Sequence, residues 1–209
     1  MALRLPTISR NDLALVLRQF ELSDIAIDAM YAHYQELQRW SAHLNLVGRG
    51  TTSEILQRHF GESLSALPLL PSGPAELVDA GSGAGFPGLV LAAARPNLTV
   101  TLVEARERKW AFLQAAARRA ALSCRCLNAR VEFPLPTGLP EMFDVVTVRA
   151  LRLGADVLAS LAERLGPEGR FLLWLGAEDP PLPPGLRPER ELPIPGSARR
   201  RILELRPAP

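Results

Sequence analysis

The stretch Leu77–Gly88, reading LVDAGSGAGFPG, restricts the possible folds more than any other part of the chain. Leu77 and Val78 are apolar and β-favouring, as expected at the end of a buried parallel strand. Asp79 follows, and then Gly81, Gly83 and Gly85 supply a turn without β-carbons. Pro87 stands where a helix would begin, because a proline at the first helical position gives up only an N–H that has no partner. Strand, glycine turn and helix start together let a nucleotide-like ligand lie against bare backbone at a helix N-terminus. The plainer alternative is an ordinary turn whose glycines merely supply positive φ. Three alternating glycines directly after a strand weigh against it.

Two ligand patterns overlap in this stretch. Gly83-Ala84-Gly85-Phe86-Pro87-Gly88 satisfies GxGxxG, a dinucleotide signature that is weak by itself. Asp79-Ala80-Gly81-Ser82-Gly83-Ala84-Gly85 satisfies the acid-x-GxGxG pattern of S-adenosylmethionine enzymes. A carboxylate at the strand tip suits a ligand with an ammonium group, such as the methionine end of that cofactor. The same carboxylate would repel a pyrophosphate. The dinucleotide register would also leave Gly81 without a role. Asp79, Gly81, Ser82, Gly83 and Gly85 are therefore expected to form the S-adenosylmethionine site.

With 209 residues, one domain is expected, with at most a small appendage. Apolar residues make up 47% and charged residues 22%, enough apolar content for a real core. No apolar run reaches the length of a membrane span, and MALRLPTISRND lacks the apolar region of a signal peptide. A cytoplasmic monomer is the default expectation. Cys124 and Cys126 lie two apart in a strand segment; with their side chains expected on opposite faces, no bridge is expected. There is no cysteine–histidine set for zinc, so no metal is expected either. The net charge is only +2, and Lys109 is the sole lysine. Biased genomic base composition explains the arginine excess more simply than binding does.

The first quarter reads as helical. Ser9 can cap Arg10–Phe20, Ser23 a longer helix to about His43, and Thr52 or Ser53 the segment Glu54–Leu64. Residues 1–70 are expected to form a helical cap on a main domain at 71–209. From Ala75 onward strands alternate with helices, the pattern of a parallel α/β sheet. The strands are expected at Glu76–Ala80, Leu98–Glu104, Cys124–Asn128, Phe143–Val148 and Arg170–Leu175. The helices are expected at Pro87–Ala94, Arg106–Ala120 and Gly154–Leu165. Arg187–Leu192 and Arg200–Leu205 would close the sheet as an antiparallel pair. This is the layout of class I S-adenosylmethionine-dependent methyltransferases: Rossmann-like, a mostly parallel seven-stranded sheet, here with an N-terminal helical extension. A dinucleotide enzyme would need another βα half and a substrate domain.

Further candidates lie at strand ends. Glu104 ends the second strand, twenty-one residues beyond Gly83, where an acid can accept both ribose hydroxyls. Val131 and Glu132 follow the third strand, where an adenine ring would lie; a surface turn is an equal alternative. Arg149 follows the fourth strand at the mouth of the site, where it would hold a substrate edge or pair with a carboxylate. His59, in QRHFGES, reads as a packed or surface residue rather than a base. Arg199, Arg200 and Arg201 read as a charged strand edge. Arg106, Arg108 and Lys109 either line an RNA path or are plain helix-surface charge.

The segments WSAHLNLVG, QRHFGESL, VDAGSGAGFPG, RKWAFLQ, NARVEFP and FDVVTVRAL carry a family resemblance. From about Tyr34 to Leu175 the chain resembles the small-subunit ribosomal RNA guanine-N7 methyltransferases, the RsmG family, also called glucose-inhibited division protein B. GSGAGFPG is the most specific block. The resemblance implies S-adenosylmethionine as cofactor and 16S ribosomal RNA as partner. It implies cofactor contacts at Gly81, Phe86, Val131, Glu132 and Arg149; from their positions, Arg149 and Lys109 are expected to face the substrate. The chain departs from the family at Glu62, where an aspartate is common, and at Leu175-Gly176, where a lysine-glycine pair is common. N7 carries a free lone pair, so no acid/base pair is expected. The competing readings are the same fold acting on a protein or small molecule, and a non-catalytic ribosome-binding protein. A nicotinamide dehydrogenase comes last.

Overall fold

The computed structural model describes residues 5–48, 50–178, 182 and 185–208. Seven strands form one sheet: β1 (Ala75–Ala80), β2 (Leu98–Glu104), β3 (Arg125–Asn128), β4 (Phe143–Arg149), β5 (Leu165–Leu175), β6 (Leu186–Pro193) and β7 (Arg201–Pro207). Their order is β3-β2-β1-β4-β5-β7-β6. β1 to β5 are parallel, and β7 runs antiparallel to both β5 and β6. β1 is flanked by β2 on one side and β4 on the other, so the strand order reverses at β1. The crevice beyond the carboxyl ends of strands at such a reversal is where open α/β sheets bind ligands.

Both faces of the sheet are covered, and the apolar side chains of each strand alternate between two cores. Leu77, Leu102, Val145 and Leu172 enter one core, and Val78, Val103, Val146 and Phe171 the other. The first core is closed by α5 (Gly88–Ala94) and α6 (Glu107–Arg119), and the second by α7 (Ala155–Glu163).

The N-terminal helices pack onto the first core. They are α1 (Arg10–Leu17) with a 3-10 turn (Arg18–Phe20), α2 (Asp24–Ser41), α3 (Thr52–Leu56), a π turn (Gln57–Gly61), α4 (Glu62–Leu64) and a second 3-10 turn (Leu67–Leu69). Leu13, Met30, Tyr34, Phe60 and Leu64 share one buried cluster with Leu89, Phe112 and Leu102. Ser9 and Ser23 cap α1 and α2 as expected. The cap of α3 is Thr51, not Thr52 or Ser53: its side chain accepts from the Glu54 N–H while the Glu54 carboxylate accepts from the Thr51 N–H.

Three other expectations are corrected. The helix expected to run unbroken through Glu54–Leu64 widens into the π turn. β5 begins at Leu165, five residues early, because Leu165 pairs with Phe143 across a register shift and α7 stops at Glu163. Cys124 and Cys126 both pack against the first core, since residues two apart on a strand share a face. Both thiols are free.

Candidate functional site

All three turn glycines adopt positive φ: +76° at Gly81, +56° at Gly83 and +84° at Gly85. The turn hangs on β2, whose Val103 carbonyl accepts from the N–H groups of Gly81 and Ser82, at 2.9 Å each. Glu104, at the tip of β2, accepts from the Gly83 N–H at 3.0 Å and from the Arg106 N–H at 2.8 Å. A β-carbon on Gly81 would meet the Leu151 side chain at 2.6 Å, whereas one on Gly83 would find only the Gly81 carbonyl at 3.8 Å. The backbone at Gly83 thus faces open space, a cavity of about 650 Å³ at the carboxyl ends of β1, β2, β4 and β5. That volume lies within the range of small-molecule sites.

Of the residues picked from the sequence, Gly81, Ser82, Gly83, Phe86, Glu104, Lys109 and Arg149 line this cavity. Asp79, Gly85, Val131 and Glu132 do not. The strand-tip carboxylate expected to face an ammonium group is instead buried behind the turn. One Asp79 oxygen accepts from the Thr147 hydroxyl at 2.7 Å and the other from the Gly88 N–H at 3.2 Å. Desolvation pushes the Asp79 carboxyl up to about 6 against those hydrogen bonds. Asp79 therefore fastens the start of α5 to β1 and β4. Gly85 packs against Leu89 and His33, Val131 against the second core, and Glu132 is solvent-exposed beside Arg130. From that last loop, Arg130 is the residue that reaches the cavity.

Arg149 is held from within the protein. Its guanidinium donates to the Glu62 carboxylate at 2.9 Å, to the Arg58 carbonyl at 2.6 Å and to the His59 carbonyl at 3.4 Å. Burial and the neighbouring Arg58 lower its pKa to about 10 against the opposing pull of Asp79. Glu62 also pairs with Arg200, and its carbonyl accepts from the Trp174 indole N–H at 3.0 Å. The Glu62 carboxylate thus links the N-terminal helices to the end of β4 and to the β7 turn, and its backbone carbonyl links them to the end of β5. In the sequence Glu62 stands out only as a family departure. Its role is visible only where four elements meet.

Two histidines flank Phe86, the aromatic residue of the turn, with ring centroids 4.9 Å away for His33 and 5.0 Å for His59. His33 Nε2–H donates to the Ala84 carbonyl at 2.8 Å, and its buried Nδ1 has no partner among the described residues. Burial takes the His33 pKa down to about 4 and that of His59 to about 3, the latter helped by Arg149 and Arg58. His59 lines the cavity as a neutral imidazole. Its place in QRHFGES, next to the apolar Phe60, is the one signal of this in the sequence.

A model of one protein family matches residues 26–180, under the description "GidB: rRNA small subunit methyltransferase G". The chain belongs to that family. Among its relatives is the protein named Ribosomal RNA small subunit methyltransferase G from Paramagnetospirillum magneticum, 45% identical over 148 residues that span 68% of each chain. The protein of the same name from Cereibacter sphaeroides is 36% identical over 165 residues, 77% of this chain and 78% of its own. In fold the family domain resembles the mitomycin 7-O-methyltransferase MmcR, with TM-score 0.59 and 20% identity over 95% of this chain and 67% of that one. It also resembles a point mutant of MtNAS in complex with S-adenosylmethionine, with TM-score 0.59 and 15% identity over 94% and 78% of the two chains.

As a member of the methyltransferase G family, the protein is an S-adenosylmethionine-dependent methyltransferase, and the cavity fits that cofactor. A side chain at Gly83 would project into this open space. The Glu104 carboxylate keeps lone pairs beyond its two backbone partners. No group of three or more potential metal ligands occurs among the described residues. No helix among them is long and apolar enough to cross a membrane.

Proposed function

We propose that the chain methylates N7 of a guanine in 16S ribosomal RNA, with its cofactor contacts at Gly81, Ser82, Gly83, Phe86 and Glu104. The observation that carries this reading is the open Gly83 cradle beside the Glu104 carboxylate, at the strand reversal of a chain in the methyltransferase G family. The cofactor supplies an electrophilic methyl group. The N7 lone pair forms the new C–N bond as the methyl–sulfur bond breaks, and S-adenosylhomocysteine leaves. No proton is lost in the step, so no residue has to act as a base. The neutral His59 and the internally paired Arg149 agree with a site that positions rather than transfers protons.

The protein's part is to hold the two reactants in line. Glu104 would take the ribose hydroxyls of the cofactor, and the glycine turn would hold its methionine portion. Asp79 keeps the turn in place from behind. Leu151, Trp174 and Leu175 give the cavity an apolar wall against which a base plane can lie. Lys109 and the exposed Arg130 stand at the rim for the RNA backbone. A base enters such a cavity only when unstacked or already single-stranded. The reading also implies a cytoplasmic protein that acts as a monomer without a metal.

The test is transfer of labelled methyl from S-adenosylmethionine to a 16S ribosomal RNA transcript and to assembled small subunits. The label should map to one guanine and sensitise its glycosidic bond to mild depurination, a property of N7-methylguanine. Label on another atom, or on protein only, refutes the assignment.

A further inference from the structure

On the outer side of the helical layer, α2 and α6 enclose a second cleft of about 850 Å³, lined by Glu36, Arg39, Trp40, His43, Arg108, Ala115, Arg118 and Arg119. Four arginines against one glutamate leave a surplus of three positive charges, more than the +2 of the whole chain. Glu36 is already engaged at the floor of the cleft. It is buried, accepts from the Trp40 indole N–H at 2.9 Å and lies 3.7 Å from both Arg39 and Arg119. The Arg108 guanidinium is aimed across the cleft, where it donates to the His43 carbonyl at 3.2 Å. Arg118 is exposed on the last turn of α6 and makes no ion pair among the described residues.

The cleft and the cavity described above are lined from the same two segments. α6 carries Arg108, Arg118 and Arg119 into the cleft and Lys109 to the cavity rim. The segment after α2 carries His43 to the cleft and Leu46 to the cavity. At 13 residues α6 is about 20 Å long, enough to run beside several nucleotides. Biased codon usage accounts for arginine in place of lysine. It does not account for charge gathered in one concave place while the rest of the chain carries a net deficit.

We propose that the α2–α6 cleft is a second RNA contact, holding the phosphate backbone of the strand whose guanine enters the cavity. The inference rests on the ribosomal RNA reading above and deepens it. Arginine is the side chain suited to it, because its planar fork takes phosphate oxygens in pairs. The contact reads no sequence. It sets the register of the strand and adds affinity that falls with salt.

The experiment measures the affinity of the full chain for a 16S ribosomal RNA transcript from low to moderate salt, for the parent and for the pair Arg39→Gln/Arg118→Gln. Removing one arginine–phosphate pairing lowers the log–log salt slope by about 0.7 to 0.9. The double variant should therefore flatten it by about 1.4 to 1.8 and weaken binding several-fold at low salt. Its affinity for S-adenosylmethionine, read by calorimetry, should match the parent's. The pair Arg18→Gln/Arg187→Gln, which removes the same charge elsewhere, should keep most of the slope. A parent that binds and methylates the transcript while the cleft pair keeps its slope overturns the cleft and leaves the function standing. Equal flattening in both pairs also overturns it, as an effect of net charge alone. A parent that binds cofactor but neither binds nor methylates the transcript or assembled small subunits refutes the substrate reading and the cleft with it.

Discussion

At the scale of single residues, the turn works because three backbones lie where side chains are costly. Gly83→Val would place a branched residue at φ +56° and fill the open cradle. The left-handed conformation costs about 1–2 kcal/mol. The expected outcome is a modest fall in Tm and complete loss of the Tm rise that S-adenosylmethionine gives the parent. An equal rise in both proteins would show that the ligand lies elsewhere. The buried titratable groups set a pH dependence whose sign can be worked out. His33 and His59 stay neutral in the folded protein down to about 4 and about 3, but take up protons below about 6.5 once unfolded. Between pH 6.5 and 4 the unfolded chain therefore binds more protons at these sites, and stability falls as the pH is lowered. Asp79 opposes this, since its folded pKa of about 6 lies above the ordinary value of 3.8. Two protons against one leave a net loss of about 1.4 kcal/mol per pH unit between about pH 6 and about pH 4. Urea unfolding at steps across that range should show it, and His59→Gln should have a clearly shallower profile. A parent whose stability does not fall over that range would contradict the assignment of neutral, buried imidazoles.

At the scale of elements, the π turn and the Glu62 carboxylate join the helical layer to the sheet. The wider turn presents the carbonyls of Arg58 and His59 to Arg149, which completes its pairing with Glu62. Removing one partner of a buried ion pair leaves the other uncompensated and costs about 3–5 kcal/mol. Glu62→Ala is expected to lose about that much in urea unfolding and to weaken cofactor binding, because Arg149 and Arg200 both lose their common carboxylate. Glu62→Asp, which keeps a carboxylate at this position, should recover most of the stability. A Glu62→Ala protein as stable as the parent would mean that solvent already satisfies the two guanidiniums. Helix starts were legible where the capping residue stands alone, as at Ser9 and Ser23. The start of α3 was not, because Thr51, Thr52 and Ser53 are equally able caps and only the return bond from Glu54 selects Thr51.

At the scale of the whole molecule, the N-terminal helices and the sheet share one core, so the division at residue 70 marks a change of architecture. Leu13, Met30, Tyr34, Phe60 and Leu64 are among the side chains that cover α5 and α6. A chain shortened to 71–209 would expose that face, and we expect it to aggregate or to lack cooperative thermal unfolding. A soluble, cooperatively unfolding fragment that binds S-adenosylmethionine would show the helices to be dispensable. The seven-strand layout, the glycine turn and the acid at the tip of β2 were determined by the sequence itself. Each depends on local periodicity, on the absent β-carbon of glycine, or on a fixed spacing along one chain. The tertiary structure decided which polar groups face the cavity. Asp79 turned inward because Thr147 and the Gly88 N–H, distant in sequence, lie close enough to satisfy it. Arg149 was claimed by a glutamate eighty-seven residues away, and four arginines from two helices came together in one cleft. Burial and pairing of this kind arise between segments that meet only when the chain has folded, and a linear pattern carries no record of them.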